Sequence, residues 1–228
     1  MTALDARLSA AAAFVRPGAV FCDVGTDHAY LPIHLVKSGR AARALATDVR
    51  EGPLAAARAH IAGAGLSDRI EAVLTDGLAG LEGRGLTDIA ICGMGGELIA
   101  RILEDAPFVK DEGVRLILQP MTRPGAVRRY LAENGFAIDG ERLCTAAGRI
   151  YSCICAHFTG RAYSLTPARA EVGTPTLDGE ARALFASLLC RRIAAAEEKL
   201  AGLSQGGLPT TEEVALLAEL VQIQQEIR

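Results

Sequence analysis

Ala19-Val-Phe-Cys-Asp-Val24 is a short apolar run that breaks off at Gly25-Thr-Asp-His28. A run of this length ended by a glycine reads as a buried strand. Outward from it, strand-like and helix-like segments alternate. Ala29–Ser38 reads as a helix closed by Gly39, and Ala42–Thr47 as a second strand. A helix starts near Pro53, a residue suited to the first turn, and stops at Gly63 and Gly65. Ile70–Leu74 is a third strand. Asp88–Cys92 is a fourth, leading through Gly93-Met94-Gly95-Gly96 into a helix over Glu97–Asp105. Val114–Leu118 is a fifth, followed by a helix over Pro124–Asn134. Phe136–Cys144 and Ile150–Phe158 have no long helix between them and read as an antiparallel pair at the sheet edge. The expected fold class is α/β: a Rossmann-like, mostly parallel sheet with an antiparallel edge, covered by helices on both faces.

Residues 1–160 form this domain in the expected organisation. Residues 161–176, rich in Thr and Pro, form a linker, and residues 177–228 an antiparallel helical hairpin. The hairpin helices span Leu177–Leu203 and Thr211–Ile227, with Gly206-Gly-Leu-Pro209 as the turn. Thr210 or Thr211 is placed to cap the second helix, and Glu213 to reach back to it.

The 228 residues are half hydrophobic, enough for a sizeable core. With no Trp and 4% aromatics, that core must be aliphatic. A net charge of −3 argues weakly against indiscriminate nucleic-acid binding, although a local basic patch can override the total. Six cysteines lie mostly in strand-like runs without metal-ligand spacing, so reduced thiols are expected, with no metal and no disulfide framework. Asp5 and Arg7 sit in an alanine-rich amphipathic stretch rather than a basic start followed by an apolar run. No apolar stretch approaches the roughly 20 residues that cross a bilayer. The expectation is a cytoplasmic protein, monomeric and free of the membrane.

In open α/β sheets, ligands bind beyond the carboxyl ends of the strands, where strand order reverses. Asp23, Gly25 and Thr26 end the first strand, but with one glycine this is no G-x-G-x-x-G loop, which disfavours a dinucleotide pyrophosphate. Asp48, about 20 residues beyond Gly25, is placed to accept hydrogen bonds from two ribose hydroxyls; the alternative is a solvated loop Asp. Asp76-Gly77 after the third strand suits an adenine amino group, or simply a turn. Gly93, Met94 and Gly95 offer backbone that a flat ligand can approach, or merely serve the strand–helix junction. Acids at three successive strand ends suit a ligand with a sugar and an amine, not a bare phosphate.

Four stretches together resemble the bacterial tRNA (adenine(22)-N1)-methyltransferase family: Asp23-Val-Gly-Thr-Asp-His-Ala-Tyr-Leu-Pro32, Asp76-Gly-Leu78, Ile91-Cys-Gly-Met-Gly-Gly-Glu-Leu-Ile99 and Leu116-Ile-Leu-Gln-Pro120. The resemblance runs in order over roughly residues 4–165 and is more diffuse in the hairpin. It implies a class I methyltransferase fold, S-adenosylmethionine as donor and the D-arm of tRNA as substrate. The family's important acidic residue in the first stretch falls on Asp27. Where the family often has Glu this chain has Asp48, and where it often has Asn after Gln-Pro it has Met121.

N1 of adenine carries an in-plane lone pair and needs no strong base before attack. The expected tasks are alignment and stabilisation of the cationic product ring. Asp27 is assigned the second task, with helix capping as the alternative; His28 and Tyr30 are candidates for contact with cofactor or base. N1 lies on the Watson–Crick edge, so the adenine must be extruded, and contacts elsewhere on tRNA must offset that cost. Arg7, Arg123, Arg128, Arg129, Arg191, Arg192 and Lys199 are the candidates, against the plain reading of solvated charge. The competing functions are a methyltransferase of a small molecule or protein, and a non-catalytic tRNA-binding protein.

Overall fold

The computed structural model describes residues 4–227, so the outermost residues of the expected domains, 1–3 and 228, lie outside the described residues. Five strands run parallel: β1 (Ala19–Val24), β2 (Ala41–Asp48), β3 (Ile70–Leu74), β4 (Asp88–Gly95) and β5 (Arg115–Thr122). A hairpin, β6 (Phe136–Ala146) and β7 (Arg149–Phe158), closes one edge, with β7 antiparallel to β5. The order across the sheet is β3-β2-β1-β4-β5-β7-β6. From β1 the chain first steps outward to β2 and β3, then returns to β4 on the other side. The crevice between β1 and β4 is therefore the switch point at which such sheets bind ligands.

The helices are α1 (Ala6–Phe14), α2 (Tyr30–Lys37), α3 (Glu51–Gly63), α4 (Gly96–Glu104), α5 (Pro124–Glu133), α6 (Pro167–Val172), α7 (Ala181–Gln205) and α8 (Thr211–Glu226). Each sheet face buries its own apolar layer. Cys22, Val24, Ile89, Ile91, Leu116 and Leu118 pack with Ile99 and Leu103 of α4 and Val127 and Leu131 of α5. On the other face Phe21, Ala44, Ala46, Ala90 and Ile117 meet Ala11, Leu35 and Ala57 from α1, α2 and α3. Small alanines on both sides let those helices lie close to the strands, so the core closes without Trp.

β4 and β5 outrun the sequence expectation at their carboxyl ends by three and four residues. They continue in register, with breaks, through Met94 with Pro120 and Gly95 with Thr122. The glycine-rich stretch thus begins as the end of a strand. Gly96 has a packing reason: a Cβ there would lie 2.2 Å from the Arg123 carbonyl oxygen.

The segment expected to be a linker holds α6, capped by Thr166, whose hydroxyl accepts from the Arg169 N–H. What fixes it is Arg128, which corrects the expectation that this residue faces tRNA. Arg128 is 1% exposed. Its Nη2 donates to Glu141 Oε2 at 2.6 Å and to Ser152 Oγ at 3.0 Å; its Nη1 donates to the carbonyls of Ala170 and Glu171 at 2.9 and 3.1 Å. Glu141 accepts in turn from the Thr174 N–H. A guanidinium enclosed this way has no donor to offer a phosphate.

Helices α7 and α8 pack as the expected hairpin over Phe185, Leu189, Ala196, Leu220 and Ile223, with Ala168 and Val172 of α6 beneath them. The first helix starts at Ala181, not Leu177. Thr210 stands at the N-cap of α8 without a side-chain cap bond, and Glu213 is buried against Lys199. The expected capping box is therefore absent, and Lys199, a candidate for tRNA contact, is exposed and paired with Glu213.

The cysteines are free: Cys22, Cys144, Cys153 and Cys155 are buried, Cys190 is exposed. Burial pushes the Cys144 and Cys155 thiols up to about 11, which suits small apolar fillers rather than nucleophiles. Among the described residues, no group of three or more His, Cys, Asp and Glu is placed to hold a metal, and no helix is long and apolar enough to cross a membrane.

Candidate active site

A cleft of about 560 Å³ opens at the carboxyl ends of β1, β2 and β4, the size of an ordinary small-molecule site. Gly25 forms its floor with φ +74°, and its N–H and that of Thr26 both donate to the Thr47 carbonyl at 2.8 Å. An added Cβ at Gly25 would lie 2.4 Å from Met94 Cε, so the floor is closed by a methionine against a bare backbone. Asp23 is 5% exposed and accepts from the Thr26 hydroxyl at 2.6 Å. Burial pushes its carboxyl up to about 6 in spite of that bond. Asp48 also lines the cleft and uses one oxygen, Oδ1, to accept the Arg50 N–H at 2.9 Å. Its Oδ2 takes no protein hydrogen bond among the described residues. Asp76 and Gly77 line the wall beyond β3, and Gly93 the wall at β4.

Gln119, buried at the end of β5, holds that last wall. Its Oε1 accepts the Gly93 N–H at 3.2 Å, and its Nε2 donates to the Pro120 carbonyl at 3.0 Å. From the other side α1 lends Asp5, Arg7 and Leu8. Asp5 caps α1 by accepting the Arg7 and Leu8 N–H groups. The Arg7 guanidinium pairs with Asp5 at 2.7 Å, reaches the Met121 sulfur at 3.0 Å and lies 5.9 Å from the centre of the Tyr151 ring. Its Nε is buried without a partner among the described residues.

At the rim, Asp27 and Ala29 both take left-handed backbone, φ 53° and 57°, on either side of His28. Left-handed non-glycine residues cost on the order of 1–3 kcal/mol each and cluster at functional loops. Asp27 is exposed, with its carboxylate 3.6 Å from His28 Nε2, and α2 has no side-chain cap. The capping alternative for Asp27 is therefore not what the loop uses it for. Tyr30 opens α2 and is 40% exposed.

A family profile described as "Methyltransferase domain" matches residues 4–154. The tRNA (adenine(22)-N(1))-methyltransferase of Bacillus subtilis is 35% identical over 153 residues, 67% of this chain and 64% of that protein's length. Among solved structures, a Streptococcus pneumoniae protein described as a candidate tRNA (m1A22) methyltransferase is 35% identical, with 99% of each chain covered and a TM-score of 0.81. The same protein in complex with S-adenosyl-L-methionine matches at 34% identity over 96% of this chain and 98% of that one, with a TM-score of 0.81. The crystal structure of the B. subtilis m1A22 tRNA methyltransferase TrmK matches at 27% identity over 100% and 98%, with a TM-score of 0.77.

The chain belongs to the tRNA (adenine(22)-N1)-methyltransferase family.

In this methyltransferase the cleft gathers Asp23, Gly25, Thr26, Asp48, Asp76, Gly77, Gly93 and Met94 from the expected cofactor set, with Asp27, His28 and Tyr30 at its mouth. Gly95 is the exception: it pairs with Thr122 in the β4–β5 ladder and does not line the cleft. Arg7, expected as a tRNA contact near the N-terminus, lines the cleft and pairs with Asp5. Arg123 is exposed and paired with Glu97. Arg129 and Arg192 both approach Glu171, each at 3.8 Å, and Arg191 is exposed without an ion pair among the described residues. Sequence reasoning missed Gln119 and Asp5. The Gln-Pro pair at a strand end was visible, but only the fold shows that its amide clamps Gly93.

Proposed function

We propose that this protein transfers a methyl group from S-adenosylmethionine to N1 of adenine 22 in the D-arm of tRNA. One observation carries the reading. Gly25, Asp48, Asp76 and Gly93, from the ends of four neighbouring parallel strands, share one cleft whose rim holds Asp27.

The residues fit the donor. Asp48 keeps a free carboxylate oxygen for ribose hydroxyls, and Asp76 is open to an adenine amine. The buried Asp23 carboxyl suits an ammonium group, and Arg7, which lines the same cleft, is the cation available there for a carboxylate. Bound there, the donor supplies an electrophilic methyl carried on a sulfonium. Adenine N1 forms the new N–C bond through its lone pair as the C–S bond breaks, and the ring becomes cationic. Asp27 stabilises that charge at the rim; His28 and Tyr30 orient the base.

Arg123, Arg129, Arg191 and Arg192 supply phosphate contacts outside the cleft, and the α7–α8 hairpin carries two of them. The protein works in the cytoplasm, as a monomer with tRNA as its partner; light scattering behind gel filtration measures its mass. Purified protein with labelled donor and unmodified tRNA is expected to give 1-methyladenosine mapped by nucleoside mass spectrometry to position 22. A tRNA with guanosine there is expected to take no label. Binding of the donor without label in any tRNA overturns the substrate.

A further inference from the structure

His60 was singled out neither by the sequence nor by the cleft, yet it packs against the loop that carries Asp27, His28 and Tyr30. It projects from the last turn of α3, the helix that follows Asp48. Its Nδ1 lies 3.0 Å from the His28 carbonyl oxygen. A carbonyl only accepts, so Nδ1 carries the proton and donates. That carbonyl belongs to the residue held between the two left-handed positions, Asp27 and Ala29. The imidazole also stacks on Tyr30, with ring centres 5.5 Å apart and planes 22° from parallel, and meets the His28 ring at 5.3 Å. His28 and Tyr30 are themselves 5.3 Å apart. One side chain thus touches the backbone and both rings of the loop that presents Asp27.

We propose that His60 is a positioning residue for methyl transfer: its Nδ1–H holds the strained Asp27–Tyr30 loop in the conformation that presents Asp27 and Tyr30 to the acceptor adenine. The proposal rests on the methyl-transfer reading above. Without the bond, the loop has a nearby backbone alternative at residues 27 and 29 that costs less than the left-handed one. Of the residues proposed to hold the donor, Asp48, Asp76 and Gly93 lie at other strand ends and make no hydrogen bond to His60 among the described residues.

Three variants of the full chain separate the bond from the ring. His60→Phe keeps a ring and loses the donor; His60→Asn keeps an amide N–H near the Nδ1 position and loses the ring; His60→Ala loses both. With tRNA as acceptor, His60→Phe and His60→Ala are expected to lower kcat by about ten- to a hundredfold, the scale of a small misplacement of reacting groups. His60→Asn recovers most of it, and the donor Kd by calorimetry stays within about twofold in all three. Backbone amide exchange of residues 27–31 is expected to quicken in Phe and Ala and not in Asn. Wild-type kcat in His60→Phe, equal losses in Asn and Phe, or a donor Kd that moves as far as kcat each overturns the proposal. If wild type methylates no tRNA, the functional reading falls, and the amide-exchange comparison alone decides the role of His60.

Discussion

At Asp27 a single carboxylate separates catalysis from folding. It is exposed, caps no helix among the described residues, and lies 3.6 Å from His28 Nε2 at the rim of the cleft. Asp27→Asn is expected to lower kcat by about a hundredfold or more, the usual scale for removing a preorganised charge, with an unchanged melting curve and donor Kd. Asp23 behaves in the opposite way, because it is buried. Its folded pKa, about 6, lies above the ordinary 3.8. In the free protein its contribution to stability is therefore full below 3.8 and is lost as pH rises through about 6. A cationic amine binds the ionised form, so donor affinity is expected to fall below pH 6, by at most about tenfold per unit. Titration calorimetry between pH 5 and 8 measures the slope, which Asp23→Asn is expected to flatten. These acids were readable in the sequence because each directly ends or follows a strand. His60 and Gln119 were not, because each acts on a backbone group far away in the chain.

At the scale of elements, the close passages of backbone decide which substitutions the fold accepts. Helix α4 begins with Gly96 pressed on the Arg123 carbonyl at the start of α5. A backbone oxygen cannot swing aside as a side chain does. Gly96→Ala is expected to destabilise by about 2–3 kcal/mol in denaturant titration, the range for overpacking a tight site. The strands and main helices were legible from apolar runs and glycine stops, since these record burial and turn geometry locally. The extra length of β4 and β5 was not: Gly93–Gly95 and Gln119–Thr122 have poor strand patterns, and past the break at Gly93, which takes φ +80°, the pairing of Met94 with Pro120 and Gly95 with Thr122 continues the ladder. Helix α6 escaped for a similar reason. Its six residues are too short for a periodic signal, and Arg128 fixes it from outside.

For the whole molecule, the Arg128–Glu141 pair ties the catalytic sheet to the segment that leads into the hairpin. Arg128→Met leaves Glu141 buried and unpaired, and is expected to cost about 3–5 kcal/mol. Replacing both residues by apolar ones of similar size is expected to cost much less, which a double-mutant cycle in urea checks. A second prediction concerns the surface. tRNA affinity is expected to fall steeply with salt, and Arg191→Ala to lower the slope of log K against log salt by about 1. Arg128 variants that remain folded are expected to leave that slope unchanged, since the buried guanidinium meets no phosphate.

The sequence by itself determined the α/β alternation, the antiparallel edge, the terminal hairpin and the strand-end acids, because all are written in local patterns of apolar residues, glycines and turns. Only the tertiary structure decided which charges are free to meet a ligand. Arg128 and Arg129 are adjacent in the chain, yet one is enclosed by Glu141 and two carbonyls while the other is exposed. Arg7 lines the cleft because α1 packs beside the strand ends. The availability of a charge depends on neighbours brought in from distant segments, and no local pattern records them.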